Sequence, residues 1–184
     1  MSRRSWFFAI LILIAVAAAE LAMGRNPICT CGAVELWVGG RDSPKTSQML
    51  ADWYSFSHIV HGLLFYGAFW AAARRWPIER RFLSALLIEA CWEILENSPI
   101  VIDRYRATTA AIGYSGDSVL NSLSDILFMT FGFLLARKLP VRLSVILLVT
   151  LELVPLFVIR DNLSLNILNL LAPSKTVQAW QAGG

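Results

Sequence analysis

The chain has 184 residues, 57% of them hydrophobic and 16% charged, with a formal net charge of +3. An ordinary soluble domain is about a quarter charged and roughly 45–50% apolar. Disorder, collagen-like repeats and a disulfide-dense secreted module are excluded. The numbers fit a small integral membrane protein, and the distribution of apolar residues along the chain predicts an all-α, polytopic transmembrane helix bundle in one integral membrane domain, 1–184.

A helix that crosses a bilayer needs about 20 mostly apolar residues. Five segments approach this: 6–23, 56–73, 82–97, 118–136 and 143–159. The first follows the charged start Met-Ser-Arg-Arg-Ser and runs past Ala17-Ala18-Ala19 to Met23. It reads either as a retained anchor or as a signal cleaved near those alanines. The loop 24–55 comes next and is rich in turn formers, with 34–38 as a short strand or an interfacial segment. Its Cys29 and Cys31 form C-x-C, which reads as a disulfide or a plain turn. Together with His58 and His61 they also make a C-x-C…H-x2-H set, with a histidine spacing shorter than the usual zinc pattern. Cys91, in the third segment, reads as a small buried hydrophobe. The loop 98–117 carries Asp103-Arg104-Tyr105-Arg106. The end, 162–173, alternates Leu and Ile with Asn and Ser; it is too polar to span and reads as lying along the interface.

Positive charge orients the spans. Nine of the 16 lysines and arginines fall in the short pieces 1–5, 74–81 and 137–142. The other seven are spread over the longer pieces 24–55, 96–118 and 160–184. This bias predicts five spans, N-in and C-out. It also accounts for the net charge without a nucleic-acid partner, because no basic stripe interleaves with aromatic residues. Trp6, Trp53, Tyr54, Trp70, Trp76, Trp92 and Tyr105 fall near the predicted interfaces, where amphipathic rings are favoured.

Of 13 acids, six lie within or at the ends of spans: Glu20, Glu89, Glu93, Glu96, Asp125 and Glu152. A charge at mid-bilayer costs about 3 kcal/mol or more, so such groups face a bundle interior or a wet cavity. A helical rise of about 1.5 Å per residue converts position to depth. The deep layer is Glu89, Asp125 and Glu152; the middle layer is His61, Glu93 and Asn121. The rim is His58, Glu96, Asn97 and Asp117, with Arg104, Arg106 and Arg160 nearby. The spacings i, i+3, i+4, i+7 and i+8 keep each helix's polar groups on one stripe. The expectation is a funnel-shaped pocket opening outward, closed below by Leu64, Leu86, Met129 and Leu148.

Candidate catalytic residues are therefore His58, His61, Glu93, Asp117, Asn121 and Asp125. Arg104, Arg106 and Arg160 are candidate binders of an anionic lipid or lipid-linked head group. Glu89, Asp125 and Glu152 form a candidate proton or ion layer. His61, Glu93 and Asp125 are candidate ligands of a divalent metal, since a His/carboxylate set on helices suits zinc, manganese or iron. No G-x-S-x-G, P-loop or H-E-x-x-H motif occurs.

The runs Gly24-Arg25-Asn26-Pro27-Ile28-Cys29-Thr30-Cys31-Gly32, Ser57-His58-Ile59-Val60-His61-Gly62 and Trp92-Glu93-Ile94-Leu95-Glu96-Asn97 resemble a family of small bacterial multi-pass inner-membrane proteins of unassigned function. Ile102-Asp103-Arg104-Tyr105-Arg106, Gly116-Asp117-Ser118-Val119-Leu120-Asn121-Ser122 and Arg160-Asp161-Asn162-Leu163 belong to the same pattern. The resemblance implies a multi-pass inner-membrane protein and carries over no catalytic residue. A looser likeness to VanZ-like membrane proteins covers two helices, through Glu93, Asp117, Asn121 and Gly132. The expected function is an enzyme, metal- or acid/base-dependent, acting on a lipid or lipid-linked substrate. The alternatives are a proton- or ion-coupled carrier and a non-catalytic membrane scaffold.

Overall fold

The computed structural model describes residues 1–109 and 113–183. It is all-helical: α1 (Arg3–Ala22), α2 (Ser55–Ala72), α3 (Ile78–Glu96), α4 (Pro99–Thr108), α5 (Val119–Lys138), α6 (Val141–Ile159), α7 (Leu163–Leu171) and α8 (Lys175–Gln181). Local chemistry sets most of the ends. Side-chain oxygens of Ser2, Ser118, Asn162 and Ser174 accept first-turn N–H groups of α1, α5, α7 and α8. Pro77 and Pro140 stand just before α3 and α6, and Pro99 opens α4. Arg160, in the left-handed region at φ 56°, ends α6.

α1, α5 and α6 are long and apolar enough to cross a membrane. α2 and α3 overlap the other two expected segments, but histidines in α2 and charged residues in α3 lower their hydropathy. The core packs α1, α3 and α5 together through Val16, Phe82, Leu86, Ile126, Met129 and Phe133. α2 and α5 meet backbone to backbone. A Cβ on Gly62 would stand 2.1 Å from the Met129 carbonyl oxygen, and one on Gly132 would stand 2.2 Å from that of Ile59. Small residues are what allow helices to approach this closely. α6 turns most of its apolar surface outward, with Phe157 80% exposed.

Several expectations need correction. Segment 34–38 is not a strand; a single bridge joins Val38 to Asp52. The loop containing it is nevertheless built: Cys29 pairs with Cys31 in a disulfide, and Cys29, Val38 and Met49 form a small core of their own. With both sulfurs in the disulfide, no metal-ligating group among the described residues joins the cysteines to the histidines. The carbonyls of Ser47, Asn26 and Pro27 accept from the N–H groups of Ser118, Val119 and Leu120, so the loop satisfies the start of α5. Loop 98–117 contains α4, signalled by Ser98-Pro99 as cap and first residue. Cys91 is exposed rather than buried, on the outer face of α3.

Candidate functional site

α2 begins beneath the 24–54 loop, with Asp52 and Ser55 buried at the junction. Its first two turns carry His58 and His61 on one face, and α3 presents Glu89 opposite them. His58 Nδ1 lies 2.7 Å from Glu89 Oε1, and His61 Nδ1 lies 3.0 Å from each Glu89 oxygen. Glu89 is fully buried. Glu93, one turn further along α3, has its Oε1 3.4 Å from His58 Nδ1. Asp125 of α5 has its Oδ2 3.8 Å from His58 Nε2. Both Glu93 oxygens and Asp125 Oδ1 are buried without a hydrogen-bond partner among the described residues.

This centre borders a cavity of about 360 Å³. His58, His61, Glu89 and Asp125 line its polar end; Phe65, Trp92, Tyr54, Tyr105 and Tyr114 form much of its wall. Leu64 of α2, Ile88 of α3 and Ile167 of α7 also line it, and each is 47% exposed. The cavity therefore reaches an apolar outer surface between these helices.

The structure brings together His58, His61, Glu89, Glu93 and Asp125. It displaces the layers expected from helical rise: His58 was expected at the rim and Glu89 deep, yet they touch. Helix ends need not lie at one height, and the first turn of α2 is already buried against the loop at Asp52 and Ser55. Among the described residues the expected metal set His61, Glu93 and Asp125 does not form one converging group. Among the described residues the atoms that converge within 4.8 Å belong to His58, His61 and Glu89, and separately to Glu93, Glu96 and Asp117.

Other candidates stand elsewhere. Asn121 donates to the Met49 carbonyl at 2.9 Å and so fastens the loop to α5. Glu152 accepts from Leu163 N, Ser164 N and Ser164 Oγ and so caps the start of α7. The three arginines hold backbone carbonyls: Arg104 that of Leu170, Arg106 that of Tyr114, and Arg160 that of Trp180. None of them lines the cavity. Glu20 of α1 is buried next to Ser122, outside the cavity lining.

Asp117 lies at the cavity edge just before α5. It accepts from Tyr114 Oη and Asn97 Nδ2, both at 3.0 Å. Burial pushes its carboxyl up to about 6, against the pull of those donors. Burial also raises the phenols of Tyr105 and Tyr114 well above the usual tyrosine range. Phe65 and Trp92 were legible in the sequence, one turn from His61 and from Glu89; His61 stacks on Phe65 at 5.8 Å between ring centroids. Tyr54, Tyr105 and Tyr114 carried no comparable signal, because only the folded loop and α4 bring them to the cavity.

α7 and α8 are tied back by Asp161, which accepts from Tyr54 Oη, Gln181 Nε2 and the Asn162 N–H. Burial raises its carboxyl to about 6. A carboxyl raised on folding stabilises the fold at pH below its ordinary value, about 4, and that contribution disappears as pH rises through about 6. Asp161→Asn can keep all three contacts. It is expected to flatten the fall in melting temperature between about pH 4 and about pH 7 in detergent. An unchanged slope would show that Asp161 does not carry the pH dependence.

The fold and site define an all-helical protein with candidate membrane spans and a buried His–carboxylate centre. The chain belongs to the family described as "Protein of unknown function (DUF2585)", whose model matches residues 20–183. A UPF0314 protein of Rhizobium etli is 51% identical over 179 residues, covering 97% of this chain and 92% of the relative. UPF0314 proteins of Novosphingobium aromaticivorans and Paracoccus denitrificans are 54% and 49% identical, over 93% and 98% of this chain and 89% and 95% of their own lengths. No solved structure matches. The two-helix likeness to VanZ-like proteins gains no support from these matches.

Proposed function

We propose that this protein is an enzyme of the bacterial inner membrane that acts on the polar end of a lipid or lipid-linked molecule. One observation carries the reading: the His–carboxylate centre lines the same cavity as the exposed apolar residues Leu64, Ile88 and Ile167. A water-soluble substrate needs no such apolar lining. An acyl or isoprenoid chain passing between α2 and α3 would bring its head group to His58 and His61. About 360 Å³ suits a head group and the first part of a chain, with the remainder left in the bilayer.

The reading takes α1, α2, α3, α5 and α6 as crossings, N-in and C-out. Helices facing a polar centre need not be apolar on that side. The basic residues of the inner pieces sit at the start of α1 and around the α2–α3 and α5–α6 connections. Arg74 lies over Trp70 at 4.3 Å and Arg80 over Trp76 at 5.4 Å, pairs suited to an interface. The 24–54 loop with its disulfide, α4, α7 and α8 then lie on the outer, oxidising side. A carrier built on Glu89, Asp125 and Glu152 is less well supported, since Glu152 caps α7.

The test is an unbiased comparison of membrane lipids in a strain lacking the protein and in strains complemented with wild type, Glu89→Gln or His61→Ala. The deletion is expected to accumulate one amphiphile. Wild type should clear it; both variants, present in the membrane at wild-type levels, should fail to. Identical lipid profiles in all four strains would refute the reading.

A further inference from the structure

We propose that His58, His61 and Glu89 bind one divalent transition-metal ion of the class that takes nitrogen and oxygen ligands: zinc, manganese(II) or iron(II). The proposal deepens the reading above, because the ion would sit in the same centre and supply its Lewis acid.

The ligand geometry comes first. One atom from each of the three residues lies within 4.8 Å of the others. The Nδ1–Oε1 separations of 2.7 and 3.0 Å are slightly below the spacing of atoms that share an ion at about 2.1 Å, so a small outward shift accommodates it. Two histidines one turn apart on α2 and a carboxylate on α3 cover one side of an ion. Its remaining positions face the cavity that all three residues line, which is the layout of a catalytic rather than a structural site.

A second observation comes from groups outside that set. Hydrogen bonds from the two imidazoles would satisfy Glu89 alone. They leave both Glu93 oxygens and Asp125 Oδ1 buried and unpartnered, with Glu93 Oε1 only 3.4 Å from His58 Nδ1. Three acidic side chains surround two histidines, and among the described residues no lysine or arginine lines the cavity. A divalent cation at His58 Nδ1 gives these groups their missing counter-charge. It also explains Asp125. With Nδ1 on the metal, His58 Nε2 carries the proton and points toward Asp125 Oδ2, now 3.8 Å away. A carboxylate behind a metal-bound histidine is the usual device that fixes the ring and raises its basicity. Metal chemistry thus assigns a place to all five side chains.

The experiment uses the full chain purified in detergent, without a histidine tag. Elemental analysis is expected to find one equivalent of a single transition metal per chain. Stripping with a chelator followed by cobalt(II) alone should give visible absorption bands of a nitrogen/oxygen-bound ion. Glu89→Gln and His58→Ala, each confirmed monodisperse by size exclusion, should lose the metal and the bands. A double variant, Cys29→Ser with Cys31→Ser, should keep both. Asp125→Asn should keep the ion with affinity reduced by roughly 10–100-fold. The proposal is overturned if folded wild type holds no stoichiometric metal and takes up none of zinc, manganese(II) or anaerobic iron(II). It is equally overturned if the ion survives in Glu89→Gln and His58→Ala but leaves with the cysteines. Failure here with a lipid defect in Glu89→Gln would leave the enzyme reading standing without its metal. A bound metal with unchanged lipids would refute the lipid reading alone.

Discussion

Gly132→Val is expected to yield protein that fails to fold or melts far below wild type, because the side chain has no space to enter. A single Cβ at this position already falls 2.2 Å from the Ile59 carbonyl oxygen, and the atom it meets is backbone rather than a movable side chain. α2 and α5 must therefore separate. Overpacking of this kind costs roughly 1–3 kcal/mol or more, and a chain of this size loses roughly 2–4 °C of melting temperature per kcal/mol. The consequence reaches the site. α2 carries both histidines and α5 carries Asp125, so the helix spacing that Gly62 and Gly132 permit is what holds His58 Nε2 and Asp125 Oδ2 at 3.8 Å. Gly67 is the control. It lies on the same helix, α2, with nothing within 4 Å of a Cβ, and Gly67→Ala is expected to be harmless or to stabilise by up to about 1 kcal/mol. The measurement is thermal unfolding of the three proteins in one detergent. A Gly132→Val melting temperature equal to wild type would show that the close approach does not hold the helices in place.

The second large effect separates a working centre from packing glue. Glu93 is wholly buried, and neither of its carboxylate oxygens has a hydrogen-bond partner. An unsatisfied buried polar group costs roughly 1–3 kcal/mol. Methionine has a similar shape and no such requirement, so Glu93→Met in chelator is expected to melt roughly 2–12 °C higher than wild type. The same variant should reproduce the lipid profile of the deletion strain. Gain of stability with loss of function is the mark of a group kept for chemistry at the expense of the fold. If Glu93 were interhelical glue, the opposite would follow: a lower melting temperature with normal lipids.

The amino-acid sequence by itself determined the helices. Turn residues, prolines, capping serines and runs of apolar residues act over a few neighbours, and the expected segments 6–23, 56–73, 118–136 and 143–159 fall on α1, α2, α5 and α6 within a few residues. It also determined that acids and histidines lie on inward stripes, since angular spacing is a property of one helix. α4 is legible in Ser98-Pro99 followed by Ile100-Val101-Ile102, ahead of the charged run from Asp103 to Arg106.

Only the tertiary structure decided which of those groups meet. The contact between His58 and Glu89 depends on how far α2 sinks beneath the 24–54 loop, and no local pattern encodes that depth. The glycine contact that sets the distance between α2 and α5 likewise needs both helices in place. Glu152 meets α7, which folds back and offers it first-turn N–H groups, a contact that no pattern within α6 announces. Helix content follows from short-range preferences along the chain. A site assembled from α2, α3 and α5 follows from tilt, offset and loop docking, which are settled only when the whole bundle packs.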